Sequence, residues 1–202
     1  MGDDAAGLLS ARAHLEKAGS GFADAICSNL ERHEVELLAS MVTSMTDLLT
    51  ERESSAPTDE LAAMTGIRTG HSSPPTDLTL GRLLPDFHRP DQERDLEAEM
   101  INGDLNAAMR SLNEPKIIDA KLGAARTLLD SLPAGGGDIA LTEAQALDWL
   151  TALNDVRLAL GAMLGISEDT PDQLPEGHPH AAHLDVYHWL TVMQELLVEA
   201  LM

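Results

Sequence analysis

His178, His180, His183 and His188 fall within eleven residues of one another. Imidazole nitrogens bind zinc and nickel, and His180 and His183 are three apart, a spacing that brings two side chains onto one helical face. Glu176 or Asp185 would add a carboxylate, while His188 lies five residues past His183 and points elsewhere. His178, His180 and His183 are therefore the metal-ligand candidates. The expected state is plainer: solvated histidines around a helix start, with no metal and no cofactor.

Other chemistry leaves fewer traces. Cys27 is the only cysteine, so no internal disulfide exists. Gly135–Asp138 has the glycines of a phosphate cradle but not its Lys and Ser/Thr, and no G-x-S-x-G elbow occurs. Among 34 acidic residues, pairs of carboxylates arise by chance. The chain is expected not to be an enzyme.

A more informative polar pair sits inside a helical pattern. Leu150, Leu153, Val156, Leu160 and Met163 build an apolar face, with Asn154 and Arg157 at its edge, three apart. A partly buried arginine needs a partner. Glu195 or Glu199 of the last helix is the expected one, which makes Asn154, Arg157, Glu195 and Glu199 a candidate latch between two helices. The last helix carries its own seam, Val186, Leu190, Met193 and Leu197. This seam is a candidate interaction surface, through which a homodimer would form.

The elements that must hold these groups are mostly helical. Hydrophobic residues make up 44 % of the 202 residues but aromatics only 2 %, so Leu, Ala, Met and Val fill the core, and these suit helix-on-helix packing. The 3.6-residue period predicts long helices near 31–53, 115–132, 142–164 and 181–201. Ser28-x-x-Glu31 and Thr142-x-x-Gln145 read as capping boxes. Residues 91–111 read as a separate solvated helix, and Pro115 as the first position of the next. Shorter helices are expected over 59–66, with Gly66 as its stop, and over LTLGRLL, ended by Pro85. Residues 22–27 and DIAL (138–141) are candidate strands that would pair. The fold class is thus mainly α: a single helical bundle-like domain over 22–202 with at most a two-stranded β ribbon, after a weakly patterned segment 1–21.

Charge narrows the partners. The formal net charge is -21, with three lysines (Lys17, Lys116, Lys121). Such a surface repels phosphate backbones and anionic lipid heads, so direct contact with nucleic acid or a membrane is not expected. Arg82, Arg89 and Arg94 are interleaved with acids and make no basic patch. No apolar run approaches the ~20 residues of a membrane helix, and no secretory signal opens the chain, which makes the cytoplasm the expected location.

LNDVRLALGAMLGI (153–166) followed by YHWLTVMQELLVEAL (187–201) resembles the AosR-type oxidative-stress transcriptional regulators of actinobacteria, a family also known as a domain of unknown function. HEVELLASMV (33–42), SSPPTD (72–77), RLLPD (82–86) and GGG (135–137) fit the same pattern in the same order, so the resemblance covers roughly 22–202. It implies a non-enzymatic regulatory protein working through a protein partner, a sigma factor or RNA polymerase. A structural or protease-adaptor-like interaction protein is the alternative, and a metal-dependent protein using the 178–188 histidines is the third. The departure from a thiol switch is plain, since Cys27 stands alone. As a redox site, Cys27 would act by sulfenic acid formation or by pairing with a second chain's or a partner's thiol. An inert, partly buried thiol is the expected state.

Overall fold

In the computed structural model, the structure describes residues 16–17, 26–57, 64, 66–87, 96–175 and 177–202; the side chains of 16, 17, 27 and 96–102 lie outside that description. In chain order the elements are β1 (Glu16–Lys17), β2 (Ile26–Leu30), α1 (Arg32–Ser54), α2 (Leu78–Leu83), α3 (Leu96–Ser131), β3 (Gly137–Leu141), α4 (Glu143–Leu164) and α5 (Ala181–Leu201). The fold is mainly α, with helices layered around α4, which packs against α1, α2, α3 and α5.

A β ribbon forms, but its first strand is Ile26–Leu30 rather than 22–27, of which 22–25 lie outside the described residues; its second strand, Gly137–Leu141, contains the expected 138–141. β2 pairs antiparallel with β3, Ile26 opposite Leu141 and Leu30 opposite Gly137. The sheet carries one strand more than a ribbon, because the two-residue β1 pairs with the outer edge of β2. Ile26, Leu30, Ile139 and Leu141 point inward and are buried, so the sheet closes one side of the helical core. Gly136 makes the approach to β3 possible. Its φ is +83°, and a Cβ there would lie 2.6 Å from the backbone nitrogen of Arg32.

Local chemistry explains most boundaries. The first cap falls three residues later than the sequence pattern suggests. Ser28 is a strand residue opposite Ile139, and the Glu34 carboxylate receives the N–H of Glu31 at 2.8 Å. At α4 the expected box forms: Gln145 N–H donates to Thr142 Oγ1 (3.3 Å) and Thr142 N–H to Gln145 Oε1 (3.0 Å). Gly165, at φ +65°, ends α4 in the left-handed conformation. Asp77 caps α2 by accepting from Leu80 N–H. The expected helix over 59–66 lies mostly outside the described residues; Met64 is helical, and Gly66 follows at φ +72°.

One boundary is corrected outright. Residues 96–131 form a single helix with Pro115 inside it, not a solvated helix followed by a second that starts at Pro115. Proline normally leaves the carbonyl four residues back without its donor. Here that carbonyl, on Ser111, accepts the N–H of Gly70 at 2.8 Å, so the loop before α2 repairs the gap. Pro115 itself is buried.

The core is aliphatic with two tryptophans, Trp149 and Trp189. Trp149 Nε1 donates to Ser131 Oγ at 2.7 Å, which satisfies its polar edge. The α5 seam belongs to this core: Leu190, Met193 and Leu197 are buried, and Val186 packs against them. This corrects the expectation of a free interaction surface at Val186, Leu190, Met193 and Leu197. The apolar period of α5 is consumed inside the chain, mostly by α4.

Candidate functional site

Two polar constellations stand out, one at the α4–α5 seam and one buried beneath the loop before α2.

Arg157 leaves the edge of α4 and lies against Tyr187 of α5. Its guanidinium carbon is 5.6 Å from the ring centroid; Nη1 donates to the Tyr187 hydroxyl at 3.2 Å, and Nη2 to Asn154 Oδ1 at 3.2 Å. Gly161, one turn further along α4, leaves room for the ring: a Cβ there would sit 3.2 Å from Tyr187 Cε2. Asn154 and Arg157 are thus neighbours, as their spacing implied. The expected ion pair to Glu195 or Glu199 does not form, and Arg157 is held by an aromatic face and two neutral oxygens. Glu195 lies eight residues beyond Tyr187, roughly 12 Å along the helix axis, too far to pair with a guanidinium held at that ring.

Glu195 and Glu199 instead line an open groove of about 440 Å³, with Leu150, Arg157, Thr191, Gln194 and Val198. Both glutamates are exposed, and neither has an ion-pair partner among the described residues.

The second constellation escaped the sequence reading. Glu114, only 1 % exposed, accepts from Arg52 Nε at 2.8 Å, Arg52 Nη2 at 3.2 Å and Arg110 Nη1 at 3.0 Å. Arg110, also 1 % exposed, donates further to the Leu84 and Pro85 carbonyls and to Asp86. Arg52 Nη2 reaches the Ser73 carbonyl at 2.6 Å, and His71 Nε2 lies 2.9 Å from the Arg52 carbonyl. The network ties α1, α3 and both loops flanking α2 together. A signal for it was present: Ile118, stepped back by fours along α3, gives Glu114 and then Arg110, two charges on a core stripe. With three N–H donors on its two oxygens, Glu114 has no role as a free base. The adjoining cavity, lined in part by His71, Glu114 and Pro115, is about 80 Å³. This constellation fixes geometry and has little room for a ligand.

Asp155 is a further buried charge, apart from that network. It is 2 % exposed, and Oδ1 pairs with Lys121 Nζ of α3 at 2.5 Å, while Oδ2 has no hydrogen-bond partner. Burial pushes its carboxyl above the ordinary value, against the pull of Lys121.

The remaining candidates are placed as follows. His178, His180 and His183 are exposed, their rings stepping along at centroid separations of 5.7 and 6.2 Å. Among the described residues, no group of three or more His, Cys, Asp or Glu side chains is arranged to hold a metal ion. Cys27 lies within β2, opposite Ala140 on one side and Glu16 on the other; its side chain is outside the description. Among the described residues, no helix is long and apolar enough to cross a membrane.

Comparison with known proteins agrees with the sequence resemblance. Residues 13–201 match the family described as Domain of unknown function (DUF2017). The chain is 53 % identical over 177 residues to proteins named "Oxidative stress regulator AosR" from Mycobacterium tuberculosis and Mycobacterium bovis, covering 87 % of this chain and 81 % of theirs. A "Putative oxidative stress regulator AosR" from Mycobacterium leprae is 53 % identical over 172 residues, 84 % of this chain and 79 % of that protein. No solved structure matches the chain.

Proposed function

The chain belongs to the DUF2017 family, and on that footing we propose that it is a non-enzymatic regulator of the oxidative-stress response that works in the cytoplasm by binding a protein partner. The observation that carries this reading is 53 % identity, across 87 % of the chain, to proteins named as oxidative stress regulators. The buried Arg110 and Glu114 support it, because both are committed to holding helices and loops together rather than to chemistry. The net charge of -21 favours control exerted through a protein over direct contact with DNA.

The partner of this reading is a sigma factor or an RNA polymerase subunit. The redox signal has one thiol to use. Peroxide would convert the Cys27 thiolate to a sulfenic acid with release of hydroxide, and a second thiol, from another chain or from the partner, would then condense with it and release water.

The test is affinity capture of the tagged protein from its own cytoplasm, with and without peroxide, followed by mass spectrometry. The expected result is recovery of a sigma factor or polymerase subunit that changes with peroxide, and loss of that change in Cys27→Ser. Peroxide-independent recovery of protease components would overturn the reading in favour of an adaptor.

A further inference from the structure

The α4–α5 groove is an open trough with an apolar floor and an acidic rim. We propose that it is the docking site for a basic amphipathic helix of a protein partner, an assignment that rests on the regulator reading above.

The floor is Leu150 and Val198; Val198 is 40 % exposed although it lies beside the core seam. Leu147, one turn before Leu150 on α4, is 51 % exposed and extends the apolar strip. The rim is Glu195 and Glu199, four apart and therefore neighbours on one face of α5. In a helix laid along the groove, two Lys or Arg residues four apart would meet them in register, with the apolar face on Leu150 and Val198.

Charge selects among the occupants. A second copy of the chain brings another -21 to an acidic rim, and nucleic acid or an anionic membrane is repelled for the same reason. A cationic protein segment is attracted. Arg157, at the Tyr187 end of the groove, favours one orientation: the incoming helix sets its C-terminal carbonyls, the negative end of its dipole, toward that guanidinium.

The probe is a fluorescein-labelled synthetic helix of about 18 residues, leucines on one face and lysines four apart beside it, long enough to be helical once docked. Binding to the full-length protein is followed by anisotropy at physiological ionic strength. E195Q/E199Q is compared with D169N/D172N, which removes the same charge from the exposed loop after α4, and with V198K. The expected result is binding weakened about tenfold more by E195Q/E199Q and by V198K than by the loop pair, since each lost close contact is worth several-fold in affinity. Amide shifts of the 15N-labelled protein should concentrate on 150–157 and 191–199.

No binding, equal weakening by the loop pair, or shifts centred elsewhere would overturn the proposal. So would a wild-type dimer that V198K dissociates, which would assign the groove to a second copy. The two readings fail separately. Peroxide-dependent capture that survives E195Q/E199Q would leave the regulator standing and remove the groove. An absence of specific capture by the wild type would sink the regulator, while the peptide mapping would still decide what the groove accepts.

Discussion

The amide of Gly70 donates to the Ser111 carbonyl at 2.8 Å, occupying the acceptor that Pro115 has no N–H to reach. The two segments fit closely: a Cβ on Gly70 would lie 3.0 Å from Pro115 Cδ and 3.1 Å from Cγ. Gly70→Ala is expected to destabilise the protein by about 1–3 kcal/mol through overpacking. In a Gly70→Ala/Pro115→Ala double variant the ring that clashes is gone, so the two effects should be less than additive by urea denaturation. Strict additivity would mean that Gly70 and Pro115 do not meet in solution.

Glu114, itself only 1 % exposed, holds two arginines together. Glu114→Gln keeps the shape but leaves Arg52 without a carboxylate and Arg110 with Asp86 alone. Breaking a buried ion pair from one side costs about 3–5 kcal/mol, and a loss of that order should appear in the denaturation midpoint. Because the network also anchors the loops around α2, hydrogen exchange there should accelerate first. A variant as stable as the wild type would show the network to be solvated.

Asp155 gives stability a pH dependence of unusual sign. Its folded-state carboxyl is raised above the ordinary 3.8 by burial. The native state therefore holds the proton more tightly than the unfolded state does. The resulting stabilisation is complete below the unfolded value and is lost as pH climbs from there through the raised native value. Asp155→Asn should remove this component, so the difference curve between wild type and variant should slope downward with pH in that window. A flat or rising difference would contradict the assignment.

Met193→Glu and Leu197→Glu separate a core from an interface. Both residues are buried within one chain, 3 % and 2 % exposed. Each substitution places a carboxylate among apolar side chains and should cost several kcal/mol, enough to unfold a marginal domain. Circular dichroism is expected to show loss of helix. A folded monomer derived from a wild-type dimer would restore the seam as a subunit interface.

The long helices were legible in the sequence because their apolar residues recur at 3.6-residue spacing, and Thr142, Gln145 and Gly165 mark α4 at both ends. Pro115 misled because its local chemistry suits a helix start equally well; what keeps the helix running is a glycine amide 45 positions away in the chain, which no window around Pro115 contains. The same remoteness hid the Glu114 network, whose partner Arg52 sits 62 residues off. Arg157 and Asn154 were found together because they share a helix. The arginine's other partner was misassigned to a glutamate, since opposite charge is the obvious guide and the space left by Gly161 for the Tyr187 ring is not. The α5 seam was readable as apolar, but periodicity alone does not say whether the surface it meets is in the same chain.

The pairing of β2 with β3 also sets an order of events during synthesis. Asn29 and Asp138, which join across that pair, are 109 residues apart, so closing the sheet means closing a very long loop. Helices form from near neighbours and need no such wait. Among the described residues, a growing chain therefore carries β2, with Cys27 as its second residue, beside no strand but the two-residue β1 until all of α3 and the turn after it have been made.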